Sequence, residues 1–140
     1  EMAGKVLPEA FTCFTLSLDN LSELTKRFGY TVGDGVLKDF AGLVQLMGDT
    51  EGMRGYNGVG RFVVFFEECS SKKAAAMIRI LDNQVEEYNS LNPEYPIRYT
   101  AAWATTEETD TYEIRELLRL SQKKWKQMEK EKKDKTEEET

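Results

Sequence analysis

"RGYNGVGRFVVFF", Arg54 to Phe66, decides how this chain is read. Two β-rich runs, "GMRGY" and "RFVVFFEE", flank "NGVG", and glycines in a tight turn accept the positive φ that a hairpin needs. A glycine-rich turn of this kind is a natural place to hold an acidic side chain over a ligand. Here the residue in that place is Arg61.

Outward from the hairpin the periodicities are distinct. "FTCFTLSL" alternates Phe14, Leu16 and Leu18 with Thr15 and Ser17, a period of two that predicts a strand ending near Asp19. "DNLSELTKRFG" places Leu21, Leu24 and Phe28 on one helical face, with Asp19 or Asn20 as the expected cap and Gly29 as the stop. "TVGDGVLKDFAGLVQLMG" spaces Val36, Phe40, Leu43 and Met47 for a second helix. Ser71 to Leu91 carries an amphipathic stripe that "NPEYP" ends, "IRYTAAWAT" predicts another strand, and a last helix starts near Thr111 with Ile114, Leu117, Leu118, Trp125 and Met128 inward. Beyond Met128 the residues are nearly all charged, which predicts fraying, with 134–140 as a disordered tail. The order βααββαβα predicts an α+β fold with a mixed, mainly antiparallel sheet of ferredoxin-like type. Within it, Cys13 and Cys69 are expected to approach one another as reduced, buried thiols if the first and third strands pair antiparallel.

Composition limits the chemistry. The 140 residues, 40% of them hydrophobic, suit one domain with a real core. A net charge of -6 gives no general attraction to nucleic acid or anionic lipid, so neither is expected as a partner. Without a histidine, imidazole acid–base catalysis and the common zinc sites are excluded. "FVVFF" is far short of a membrane span, no leader pattern opens the sequence, and a reducing, cytoplasmic setting is the expectation.

The block "SLDNLSELTKRFGYTVGDGVLKDF", with Gly29, Gly33, Asp34 and Leu37 at fixed spacing, resembles the first signature of the GGDEF domain, the catalytic domain of diguanylate cyclases. "YNGVGRFVVFF" falls where that family carries its namesake hairpin. The resemblance runs from about Phe11 to Lys133 and implies a nucleotidyl-cyclase-like fold. Residues 1–10 then read as a linker or remnant of an upstream segment, and the chain as a portion of a longer protein.

In that family two GTP-loaded domains face one another to make cyclic di-GMP, and carboxylates hold the divalent cations. The resemblance puts Ser17 at the first metal-holding aspartate, Asp19 at the second aspartate of that D-x-D, and Arg61 at the acidic residue of the hairpin. Gly58 matches the first glycine, Val59 replaces the second, Gly60 replaces the aspartate and Phe62 matches the phenylalanine. Opposed unit charges ~4 Å apart interact by about 4 kcal/mol at an effective dielectric near 20, so a guanidinium in place of a carboxylate beside a divalent ion outweighs any one hydrogen bond. The family magnesium site is therefore expected to be lost, with no cofactor and no catalytic residue. Ser22 stands for the early phosphate-binding lysine, Glu129 and Lys133 for the late basic pair, and Thr25 and Asp34 for the two guanine-reading residues. The inhibitory R-x-x-D falls on Asp49, Thr50, Glu51 and Gly52, which implies no inhibitory product site.

Each candidate also has a plain structural reading. Asp34 and Asp19 serve as helix caps, Gly58 and Gly60 as turn residues, Trp103 and Trp125 as core aromatics, and Arg61 as a solvated strand residue. Two functions follow. The first is a catalytically silent module for regulation, dimerisation or docking in a larger bacterial signalling protein, with a protein partner or a second copy. The alternative is a metal-independent GTP sensor with Asp34, Thr25, Asp19, Gly58 and Arg61 as nucleotide-binding candidates; an active cyclase ranks last.

Overall fold

The computed structural model describes residues 10–47, 53–56, 60–109 and 113–139, the side chains of 53–56 and 136–139 excepted. The elements are β1 (Thr12–Leu18), α1 (Leu21–Phe28), α2 (Tyr30–Gln45), β2 (Met53–Tyr56), β3 (Arg61–Phe66), α3 (Ser71–Leu91), β4 (Tyr99–Thr105), a 3-10 turn (Thr106–Glu108) and α4 (Ile114–Glu139). They occur in the expected order. Among the described residues the sheet runs β2-β3-β1-β4 with every pair antiparallel, in keeping with the mainly antiparallel α+β fold expected.

All seven residues of β1 are buried, so the central strand is covered on both faces. Its even positions, Phe14, Leu16 and Leu18, face a large core with Phe40 of α2 and Met77 and Leu81 of α3. Phe40 meets Phe62 and Tyr99 at ring distances of 5.7 and 5.5 Å, which seats α2 on the sheet. Each such side chain taken from water stabilises the fold by about 2 kcal/mol. The odd positions, Cys13, Thr15 and Ser17, face α4 and are small and polar. They let the helix come close, and Ser121 of α4 bonds both the Thr15 hydroxyl (2.8 Å) and the Cys13 thiol (3.3 Å).

Gly29 joins α1 to α2 without a loop. Its φ of 97° lets its N–H close α1 on the Thr25 carbonyl while α2 begins at the next residue. Consequently α2 starts at Tyr30, and Asp34 lies inside the helix and does not cap it. The expected cap of α1 is also corrected. Asn20 occupies the cap position but makes no side-chain cap bond, because its amide donates to the Pro96 carbonyl (2.7 Å) and accepts from Arg98 N–H (3.1 Å). α4 continues past Met128 to Glu139, helped by a Gln127–Glu131 hydrogen bond and a Glu129–Lys133 contact one turn apart.

The two cysteines are free and buried, Cys13 within β1 and Cys69 three residues past the end of the neighbouring antiparallel β3, and they pack in different clusters of the core. Cys13 packs with Ala104 and Leu117, and Cys69 with Met77. Burial pushes the Cys13 thiol up to about 11 and moves Cys69 in the same direction. A thiol at that value has about two orders of magnitude less thiolate at neutral pH than a free one. Cys13 should therefore react with a disulfide reagent about two orders of magnitude more slowly in the native protein than in the denatured chain, and Cys69 should also be slowed, as thiol titration with and without denaturant would read. Among the described residues no helix is long and apolar enough to cross a membrane.

Candidate functional site

The register of the sheet brings the two degenerate positions together. Ser17 sits at the end of β1, paired across the ladder with Arg61 of β3 on one side and Thr100 of β4 on the other. Arg61, Ser17 and Thr100 thus form one row beneath α4.

α4 crosses that row with a stripe at helical spacing: Leu117, Ser121, Trp125 and, two turns on, Lys132. The buried Trp125 indole N–H donates to Ser17 Oγ at 2.7 Å, and Ser17 donates in turn to Asp19 Oδ1 at 2.6 Å. Thr100 repeats the pattern: its hydroxyl accepts from Lys132 Nζ at 3.0 Å and donates to Asp19 Oδ2. Lys132 also donates to the Tyr99 carbonyl (2.7 Å) and stands 3.9 Å from Asp19 Oδ2. Asp19 is therefore no cap; its carboxylate gathers two hydroxyl protons and an ammonium. Arg61 lies with its guanidinium carbon 4.4 Å from the centroid of the Trp125 ring, a cation–π contact. Its side chain is exposed rather than freely solvated, since one face rests on the indole.

Gly60, immediately before Arg61, has a φ of 75°, and a Cβ there would lie 3.2 Å from the Leu18 carbonyl. Its own carbonyl accepts from Leu18 N–H at 2.7 Å. The hairpin base is thus pressed against the end of β1, at a distance that a side chain would crowd. Gly58, Val59 and residues 49–52 lie outside the described residues, as does the tip of the hairpin.

The other candidates are brought only partly together. Thr25 turns its hydroxyl to the Leu21 carbonyl (2.9 Å) and packs on Gly33, where a Cβ would come within 2.3 Å of its Oγ1. Asp34, next to Gly33, pairs with Lys38 at 3.0 Å on the surface of α2. Asp34→Ala then removes a partly exposed helical pair, not a cap. The expected change is within about 0.5 kcal/mol of zero, checked by urea denaturation. Ser22 borders an open hollow of mixed charge with Asp19, Glu23, Lys26 and Arg27. Glu129 and Lys133 come within 4.0 Å of one another.

The sequence reading missed Thr100, Lys132 and Ser121. The four-residue spacing of Ser121 to Leu117 and Trp125 was the available signal for the last, but a serine in an apolar stripe carries no weight until the facing strand is known to be polar.

The model of the GGDEF domain of diguanylate cyclases matches residues 4–135. The chain belongs to the GGDEF family. The fold agrees. The active GGEEF domain of a diguanylate cyclase from Vibrio cholerae superposes with a TM-score of 0.77 at 19% identity, over 88% of this chain and 78% of that one. An EAL/GGDEF domain protein from M. capsulatus gives 0.70 at 14% identity, over 88% and 80%. The GGDEF domain of DgcB from Caulobacter crescentus, in complex with c-di-GMP, gives 0.58 at 14% identity, over 69% and 59%. Among curated proteins no sequence matches the chain. As a GGDEF domain it has the nucleotidyl-cyclase-like fold expected of it, and the family's signalling context is that of cyclic di-GMP.

Proposed function

We propose that this GGDEF domain makes no cyclic di-GMP and works as a regulatory, dimerisation or docking module within a larger signalling protein. The observation that carries the reading is the seating of Trp125 on Ser17 with Arg61 stacked over it. The place that resemblance gives to a metal-bound carboxylate pair is filled by an indole, a hydroxyl and a cation.

The donor set does not fit magnesium, which takes oxygen ligands, carboxylates among them, in near-octahedral array. Ser17 both accepts and donates within the protein. Asp19 is bonded by Ser17 and Thr100, and the remaining position carries a guanidinium. With that array no proton leaves a ribose hydroxyl and no α-phosphate is drawn into attack. What the scaffold retains is a folded GGDEF surface able to pair with a second copy or another protein.

The competing reading is a GTP sensor, and calorimetry separates the two. With micromolar GTP, with and without magnesium, the silent module gives no binding heat, and Asp34→Ala changes nothing. Micromolar, guanine-selective binding that Asp34→Ala abolishes would establish the sensor instead.

A further inference from the structure

Between α4 and β3 lies a cavity of about 230 Å³, lined by Arg61, Lys126, Gln122, Thr15 and Trp125, with Val63 among its walls. Its lining holds two cations and no carboxylate, in a protein whose net charge is -6. Arg61 and Lys126 are exposed, while Thr15 and Trp125 are buried. Among the described residues neither cation has a carboxylate partner, although other lysines on α4 do: Lys124 pairs with Glu108, Lys132 lies by Asp19, and Lys133 by Glu129.

We propose that this cavity binds a compact phosphoryl anion, held between the guanidinium of Arg61 and the ammonium of Lys126. The chemistry is specific in kind. A guanidinium presents N–H donors in a planar fork suited to two oxygens of one phosphate, and an ammonium supplies a point charge for a third. The contact with the Trp125 ring restrains the guanidinium before a ligand arrives, which lowers the ordering cost of binding. The Gln122 amide adds a neutral donor. At physiological salt the Debye length is about 8 Å, so two cations lining a cavity this small act together while the distant acidic surface is largely screened. The same overall charge disfavours a polyanion, which leaves a small phosphate ligand, inorganic or esterified. Nothing in the site reads a base, and the proposal is independent of whether the domain turns over GTP.

Nuclear magnetic resonance on the whole chain tests it. The protein has two tryptophans, so two indole N–H signals, and Trp103→Phe assigns them. Titration with millimolar inorganic phosphate or GMP should move the Trp125 signal and leave that of Trp103 in place. Guanosine and acetate should move neither. Removing either cation should weaken binding by about tenfold or more, so Arg61→Gln and Lys126→Gln should each shift the titration by that factor. Lys130→Gln, an exposed charge on α4 that does not line the cavity, should not. Both cavity variants are surface changes, and cooperative unfolding with a melting temperature lowered by no more than a few degrees checks their folding. The proposal fails if phosphate moves neither signal, if both move equally, if acetate or guanosine is as effective, or if Lys130→Gln weakens binding as much as the cavity variants.

Discussion

Trp125→Ala is expected to cost about 3–5 kcal/mol of stability, the range for emptying a large aromatic from a core, and about 10 °C or more in melting temperature for a domain this size. Three contributions converge on that side chain. It is 3% exposed, so its removal leaves a cavity under α4. Its N–H bond to Ser17 goes with it, and so does the support beneath Arg61. Trp125→Phe separates them: the ring keeps most of the packing, while the hydrogen bond, worth about 1 kcal/mol net, disappears. Denaturant unfolding of the three proteins should rank wild type, Phe, Ala with the larger step last. A cost below about 1 kcal/mol for Trp125→Ala would mean that the indole is not seated on the sheet.

Restoring the family's carboxylates one at a time should yield no cyclase, and Ser17→Asp should also destabilise the fold. Ser17 donates to Asp19 at 2.6 Å, and a carboxylate in its place has no proton to give. It would set like charges side by side, a repulsion of about 4 kcal/mol at ~4 Å and an effective dielectric near 20, offset in part by the Trp125 N–H. Lys132, already near Asp19, limits the net cost, which should fall near about 2 kcal/mol by denaturant unfolding. Arg61→Glu faces no such penalty at its exposed position, but it still leaves Ser17 hydrogen-bonded to the indole. A single carboxylate opposite either original residue leaves a cation pair undercoordinated. Product from either single variant would contradict this account.

The order of elements was legible because it rests on local patterns. β1 alternates by two, the helical stripes recur at three and four, and Gly60 marks the hairpin base at a backbone conformation few other residues adopt. The site was half legible. Ser17 and Arg61 stand out by charge and type, and the ladder pairs them directly. What lay beyond reach was non-local. Asn20 is drawn from its cap by Pro96 and Arg98, more than seventy positions away in sequence, and Trp125 meets Ser17 across 108. Asp34 was misplaced for a local reason: Gly29 serves both helices at once, so α2 begins four residues before the aspartate that seemed to open it. The polarity of the α4-facing side of β1 was visible as Cys13, Thr15 and Ser17. Its meaning, a strand buried on both faces under a helix carrying its own serine and indole donors, was not.

The most direct test of the central claim is a product assay on the unmodified chain with GTP and magnesium or manganese, read by mass spectrometry of the nucleotides. The account predicts no cyclic di-GMP above the protein-free control at either metal. Sustained formation of cyclic di-GMP by the purified chain, abolished when Trp125 or Arg61 is replaced, would show that this arrangement is catalytic and contradict it.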